Sequence, residues 1–212
     1  MRLTLRIFAC LAAVTCSCIC ASNAQAQGMA PMAPAATGPS ASVLQFVQRF
    51  EGNFMAAAQA MPADKYNFAP SNPDVFKPGS PAQFATVRTF GQQITHVIGE
   101  SYRNLAPFGV KPDPAVDLKA LDTMTDKDAI LKALQASFDY QNKVIGTLTA
   151  DNALAATGPR GSSLVSMIIS ALNDDGDHYG QMVEYLRMNG IIPPATERQM
   201  QMQARPAAAP AK

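Results

Sequence analysis

The sequence predicts an all-α fold, a bundle of four helices, on three observations. Apolar residues return at three- and four-residue steps in four separate stretches, the spacing of one helical face. The breaks between those stretches are dense in proline and glycine. No stretch alternates apolar and polar residues with the period of two that a half-buried strand requires. Among the 212 residues 48% are apolar and 16% charged, enough for a proper core.

The first helix starts after Ser40 or Ser42 and runs to about Met61, with Val43, Phe46, Val47, Phe50 and Phe54 on one face. Pro62 ends it. The following "PADKYNFAPSNPDVFKPGSP" holds five prolines and reads as an irregular connection. Ser80 then supplies an N-cap, with Pro81 at the first helical position, for a second helix running to about Leu105. Its stripe is Phe84, Val87, Ile94, Ile98 and Leu105.

A second loop, "FGVKPDPAVDLKALDTM", has room for a short helical turn. Thr125, with Asp128 three residues on, resembles a capping box for a third helix. That helix carries Ile130, Leu131, Leu134, Phe138 and Val144 and ends near Ala150. After "TGPRGSS" the fourth helix covers about 163–189, with Gly190 placed to end it and Pro193 and Pro194 beyond. Helices of this size make a bundle about 30–40 Å long. The long loops after the first two helices permit crossover connections as well as a plain up-and-down order.

Residues 1–26 read as a secretory signal peptide: Arg2 and Arg6 are the basic region, a short apolar run follows, and Ala24-Gln25-Ala26 fits the cleavage rule. Export to the periplasm or medium is the expectation. All four cysteines, Cys10, Cys16, Cys18 and Cys20, fall inside this leader, so the mature chain has no disulfide framework and no thiolate ligand. Residues 27–40 read as a Pro/Ala-rich linker, residues 41–194 as the folded domain, and residues 195–212 as a disordered Ala/Pro-rich tail. Of 17 basic residues, 15 remain after the leader, against 16 acidic ones. A net charge near −1, with no basic stripe, argues against nucleic-acid partners. No apolar run of the mature chain is long enough to span a bilayer.

Chemistry concentrates in "NDDGDHYGQMVEYLRMNG" on the fourth helix. Leu164, Ile168, Leu172, Asp175, Tyr179, Met182 and Leu186 lie near the centre of its apolar stripe, and His178 sits at the edge. Asp174 is one turn before His178 on the same side, so both side chains can reach one ion. A carboxylate beside a buried stripe costs several kcal/mol unless it is paired. Asp174, Asp175 and Asp177 have no Lys or Arg within one turn on their helix, and a divalent metal is one economical partner; a hydrated acidic flank is the other reading. The second histidine, His96, groups on its helical wheel with Thr89, Gln92, Gln93 and Glu100, roughly opposite the apolar stripe. That placement suits a surface residue, or a ligand if the polar face lines a pocket.

At these residues the chain resembles the DinB/YfiT-like superfamily, over about residues 46–194. The likeness includes "AMPADKYNFAP", "VRTFGQQITHVIGESY", "SFDYQNKVIGTL" and "NDDGDHYGQMVEYLRMNGIIPP". The resemblance implies a four-helix bundle with crossover connections, often a homodimer. It also implies a metal site built from a histidine in the middle of the second helix and two histidines, four apart, on the fourth. His96 occupies the first position, and His178, in "HYGQ", the last. Asp174 stands where the family usually has its other histidine. The implied set is therefore His96, Asp174 and His178, with Asp175 a competitor for the carboxylate position. Two nitrogens and one oxygen suit Zn²⁺, Ni²⁺, Fe²⁺ or Mn²⁺.

Three functions compete on this reading. One is a metal-dependent hydrolase or transferase of an unidentified small molecule, with Glu100 the best candidate for a general base. The second is a non-catalytic bundle that binds a metal or ligand. The third is a bundle with no metal. Ser162 and Ser163 have no histidine partner in sequence, which argues against covalent catalysis.

Overall fold

Five α-helices make up most of the described residues, 38–70 and 87–204 of the computed structural model, and no strand occurs among those residues. They are α1 (Pro39–Ala60), α2 (Phe90–Leu105), α3 (Lys127–Gly146), α4 (Leu164–Met188) and α5 (Pro194–Ala204). The expected leader, nearly all of the linker, the Ser80 and Pro81 cap, Phe84 and the last eight residues, 205–212, lie outside the described residues.

α1 and α2 each pack against both α3 and α4, and α5 packs on α1. Val47, Phe54, Ile94, Ile98, Leu134, Phe138, Met182 and Leu186 meet in one core. The Phe54 and Phe138 rings cross edge to face with centroids 5.9 Å apart, tying α1 to α3. Phe46 departs from its expected place on the α1 stripe and is exposed.

Helix ends are secured by specific donors and acceptors. Thr89 and Gln92 form a reciprocal capping box at the start of α2. The Phe90 and Gly91 amides of its first turn donate to Phe68 O and Tyr66 O, each at 2.8 Å. The loop after α1 is thus stitched to the N-terminus of α2, and the helix begins at Phe90, past the expected Ser80 cap. In α3 the cap is Asp126, whose carboxylate accepts from Ala129 N at 2.8 Å, one residue beyond the expected Thr125. That helix stops at Gly146, short of Ala150, because Thr147 and Leu148 turn back onto Val144 O and Ile145 O. Lys127 Nζ donates to Gln59 O and Met61 O at 2.8 Å each and closes the C-terminal end of α1.

The fourth predicted helix has its expected ends. Ser163 caps α4 through Ser166, and Gly190, at φ +73°, takes the left-handed position that lets Ile191 N reach Leu186 O at 3.0 Å. The expectation of a disordered tail over 195–212 needs correction for residues 195–204, since Pro194–Ala204 is helical. It buries no residue of its own, and Arg198 hydrogen-bonds Asn53 of α1. Its Glu, Gln and Met content favours helix, which the surrounding Ala/Pro composition concealed.

α2 is covered on more sides than its wheel implies. Besides α3 and α4 it meets the 3-10 turn Ala120–Thr123 of the following loop. That turn and α4 together cover the polar side, Gln93 lying against Gln181 and Tyr185 of α4, so Gln93, Thr95 and Gly99 are buried and His96 is half-buried.

Candidate metal centre

The capped first turn of α2 sets the positions of Gln93 and His96, one turn apart on the side facing α4. On α4, Asp174 and His178 stand four residues apart and project in parallel. His96 Nε2 lies 3.8 Å from Asp174 Oδ2, and His178 Nε2 lies 3.7 Å from Asp174 Oδ1. The two imidazole centroids are 4.6 Å apart. One donor atom from each residue falls within 4.8 Å of the others, so the group could hold a metal ion. The two imidazole-to-carboxylate separations, 3.8 and 3.7 Å, are close to the roughly 3.4 Å between donors around a tetrahedral ion. Asp175, the competitor, is not one of these donors.

The hydrogen bonds around His178 decide its tautomer. Gln93 is almost wholly buried, and its amide nitrogen donates to Gln181 Oε1 at 2.7 Å and to Tyr185 Oη at 3.3 Å. Its oxygen therefore faces His178 Nδ1, which must donate. Gln181 in turn donates to Asp177 Oδ2 at 2.8 Å, and Tyr185 Oη donates to Arg88 O at 3.1 Å. In neutral His178 the lone pair is thus on Nε2, aimed at the carboxylate. Two acceptors then confront each other with no proton between them, while Asp174 Oδ2 is itself buried without a hydrogen-bond partner. A buried unsatisfied oxygen costs about 1–3 kcal/mol, and a cation shared by the three residues removes that cost.

Burial lowers the pKa of His178, although Asp174 pulls the other way. Burial and then the Arg88 charge lower that of His96. Both shifts favour neutral imidazole, the form that ligates metals. Asp175 points elsewhere: burial, helped by the charge of Asp174, pushes its pKa to about 7, in the range of a carboxyl group kept neutral inside the core.

Glu100, expected as the candidate base, is engaged. Its Oε1 accepts from Arg103 Nη2 at 2.8 Å and its Oε2 from Asn104 at 3.1 Å. Burial works to raise its pKa, yet the hydrogen bond and charge of Arg103 outweigh this and hold it below the ordinary value. A carboxylate so occupied is a poor proton acceptor.

Sequence reasoning placed His96, Asp174 and His178 but missed the residues that orient them. The helical wheel groups Gln93 with the polar face opposite the apolar stripe, and "HYGQ" presents Gln181 only as a neighbour of His178. The available signal was a glutamine one turn from each histidine, at steps of three. Arg88 falls inside the expected second helix but precedes the observed one, and nothing in the sequence marks it as a partner of His96. No model of a known protein family matches the chain, and no curated protein matches it either.

Proposed function

We propose that the chain is an exported member of the DinB/YfiT-like superfamily that binds one divalent transition metal through His96, Asp174 and His178. The carrying observation is the buried, unpartnered Oδ2 of Asp174, placed between two imidazoles whose environments favour the neutral form. A four-helix bundle with crossover connections is supported by the packing: chain neighbours α1 and α2 share the partners α3 and α4. The leader-like residues 1–26 support export. Exposed Phe46 and Ile169, beside Val43 and Val165, suit a homodimer.

Three protein donors leave coordination positions free, and a zinc, nickel, iron or manganese ion there would supply Lewis acidity toward a small-molecule substrate. Gln93 holds the His178 ring in the ligating tautomer, and Asp174 contributes the negative charge of the set. This supports a metal-dependent hydrolase or transferase. The engaged state of Glu100 favours the second reading, a bundle that binds metal or ligand without catalysis.

Metal content of the mature chain, purified without a histidine tag, tests the proposal. About one equivalent of a transition metal is expected in the wild type, with loss in His178→Ala and Asp174→Ala. A wild type that takes up none of Zn²⁺, Ni²⁺ or Mn²⁺ overturns it.

A further inference from the structure

A cavity of about 330 Å³ opens beside His96, between α2 and the loop that carries the Ala120–Thr123 turn. Arg88, Thr95, His96 and Arg103 line it, with Leu121 and Asp122 from the loop. We propose that this cavity binds a small molecule bearing an oxyanion, carboxylate or phosphate, with Arg88 as its anchor, and that metal loading frees Arg88 for that role. The inference rests on the metal site proposed above.

Arg88 Nη2 lies 3.2 Å from His96 Nδ1. A guanidinium has only donors, so Nδ1 accepts, and neutral His96 carries its proton on Nε2. Nε2 is the atom that faces Asp174 and would ligate the metal. The two histidines are therefore prepared differently. His178 has an acceptor, Gln93 Oε1, on its Nδ1 and is already in the ligating tautomer. His96 has a donor there and is not. Ligation through Nε2 moves the ring proton to Nδ1, where an N–H then faces an N–H of Arg88. That hydrogen bond cannot persist, and the guanidinium is released toward the cavity.

Once released, Arg88 shares the cavity with one carboxylate, Asp122, and forms no ion pair with it. Among the described residues it pairs with no carboxylate, whereas Arg103 is neutralised by Glu100 at 2.8 Å. Asp122 is the one carboxylate in the lining, so the pocket's own charge is balanced until the metal adds to it. The planar guanidinium fork matches a carboxylate or phosphate in two-point geometry, which neither Thr95 nor Gln92 can offer. A substrate held this way would have its anionic end at Arg88 and its remainder beside His96.

Nitrogen-edited NMR of the imidazoles and of the Arg88 guanidinium tests this in the full chain, first with zinc alone and then with acetate or methyl phosphate. Without zinc, His96 should show the Nε2-protonated form, and zinc should convert it to Nδ1-protonated. Acetate or methyl phosphate should then shift the Arg88 signal with at least tenfold tighter binding than in the zinc-free protein. Arg88→Met should keep zinc but weaken anion binding at least tenfold, and Arg88→Lys should recover only part of it. A preference between the two probes identifies which oxyanion the site takes. Failure to take up zinc overturns the metal reading beneath the proposal. Zinc uptake with the Arg88–His96 bond intact, or anion binding indifferent to Arg88→Met, overturns the proposal alone.

Discussion

Gln93 on α2 and His178 on α4 are joined by a buried hydrogen bond in which imidazole Nδ1–H donates to the amide oxygen. Because the Gln93 nitrogen is committed to Gln181 and Tyr185, the amide cannot turn over without breaking two further bonds. One side-chain amide thus holds the imidazole tautomer, the ring orientation and the α2–α4 register together.

Replacing Gln93 with leucine should therefore weaken zinc binding by about 10–100-fold while leaving helix content intact, the usual effect of removing an orienting partner of a metal ligand. Competition against a chromophoric chelator measures the affinity, and circular dichroism the fold. Unchanged affinity would show that His178 needs no such orientation.

Asp174→Asn should abolish tight metal binding yet stabilise the metal-free protein. The carboxylate Oδ1 faces the His178 Nε2 lone pair at 3.7 Å, whereas an asparagine N–H can donate to it. A gain of about 1 kcal/mol, or roughly 2–4 °C in Tm, is expected. Calorimetry in the presence of chelator checks it; a lowered Tm would mean that the aspartate is already satisfied without metal.

Glu51 makes the metal-free fold sensitive to pH. Burial pushes its pKa to about 7 from the ordinary 4.5, with hydrogen bonds from Asn142 opposing and the charge of Asp139 assisting. Between those values the folded state holds a proton that the unfolded chain has released, so stability is full below about pH 4 and falls as pH rises through 7. The loss is of the order of 1–3 kcal/mol. Denaturant titrations at pH 5 and pH 8 should show it, and Glu51→Gln should flatten the difference. An equal slope in that variant would assign the effect to another group, with buried Asp175 the next candidate.

Ending the chain after Pro193 should cost little. α5 buries none of its residues and its described hydrogen bond to α1 is the exposed Arg198–Asn53 pair. Such exposed pairs contribute about 0–1 kcal/mol. Thermal denaturation should show a fall in Tm of only a few degrees, with metal uptake unchanged; a collapse of the fold would make α5 part of the core assembly.

The spans of α1 and α4, much of the core face, and the Asp174/His178 pair were legible in the sequence. Each depends on relations within one helix: the 3.6-residue repeat, the Ser163 cap, the Gly190 stop and the four-residue step that aligns two side chains. Local geometry is written locally. The start of α2 was not legible, because the carbonyls that receive its first amides come from Tyr66 and Phe68, some two dozen residues upstream.

His96 shows the same division at the site. Its own helix placed it on a polar face, and nothing within that helix says whether water or protein covers that face. The Ala120–Thr123 turn and α4 cover it, bring it within 3.8 Å of Asp174, and leave Arg88 on its other nitrogen. The choice of Asp174 over Asp175 was likewise decided by tertiary structure. One residue turns a side chain by about 100° around the helix, and only the position of the neighbouring helices determines which direction leads to the second imidazole. The chain by itself determined which groups could ligate; packing determined which of them meet.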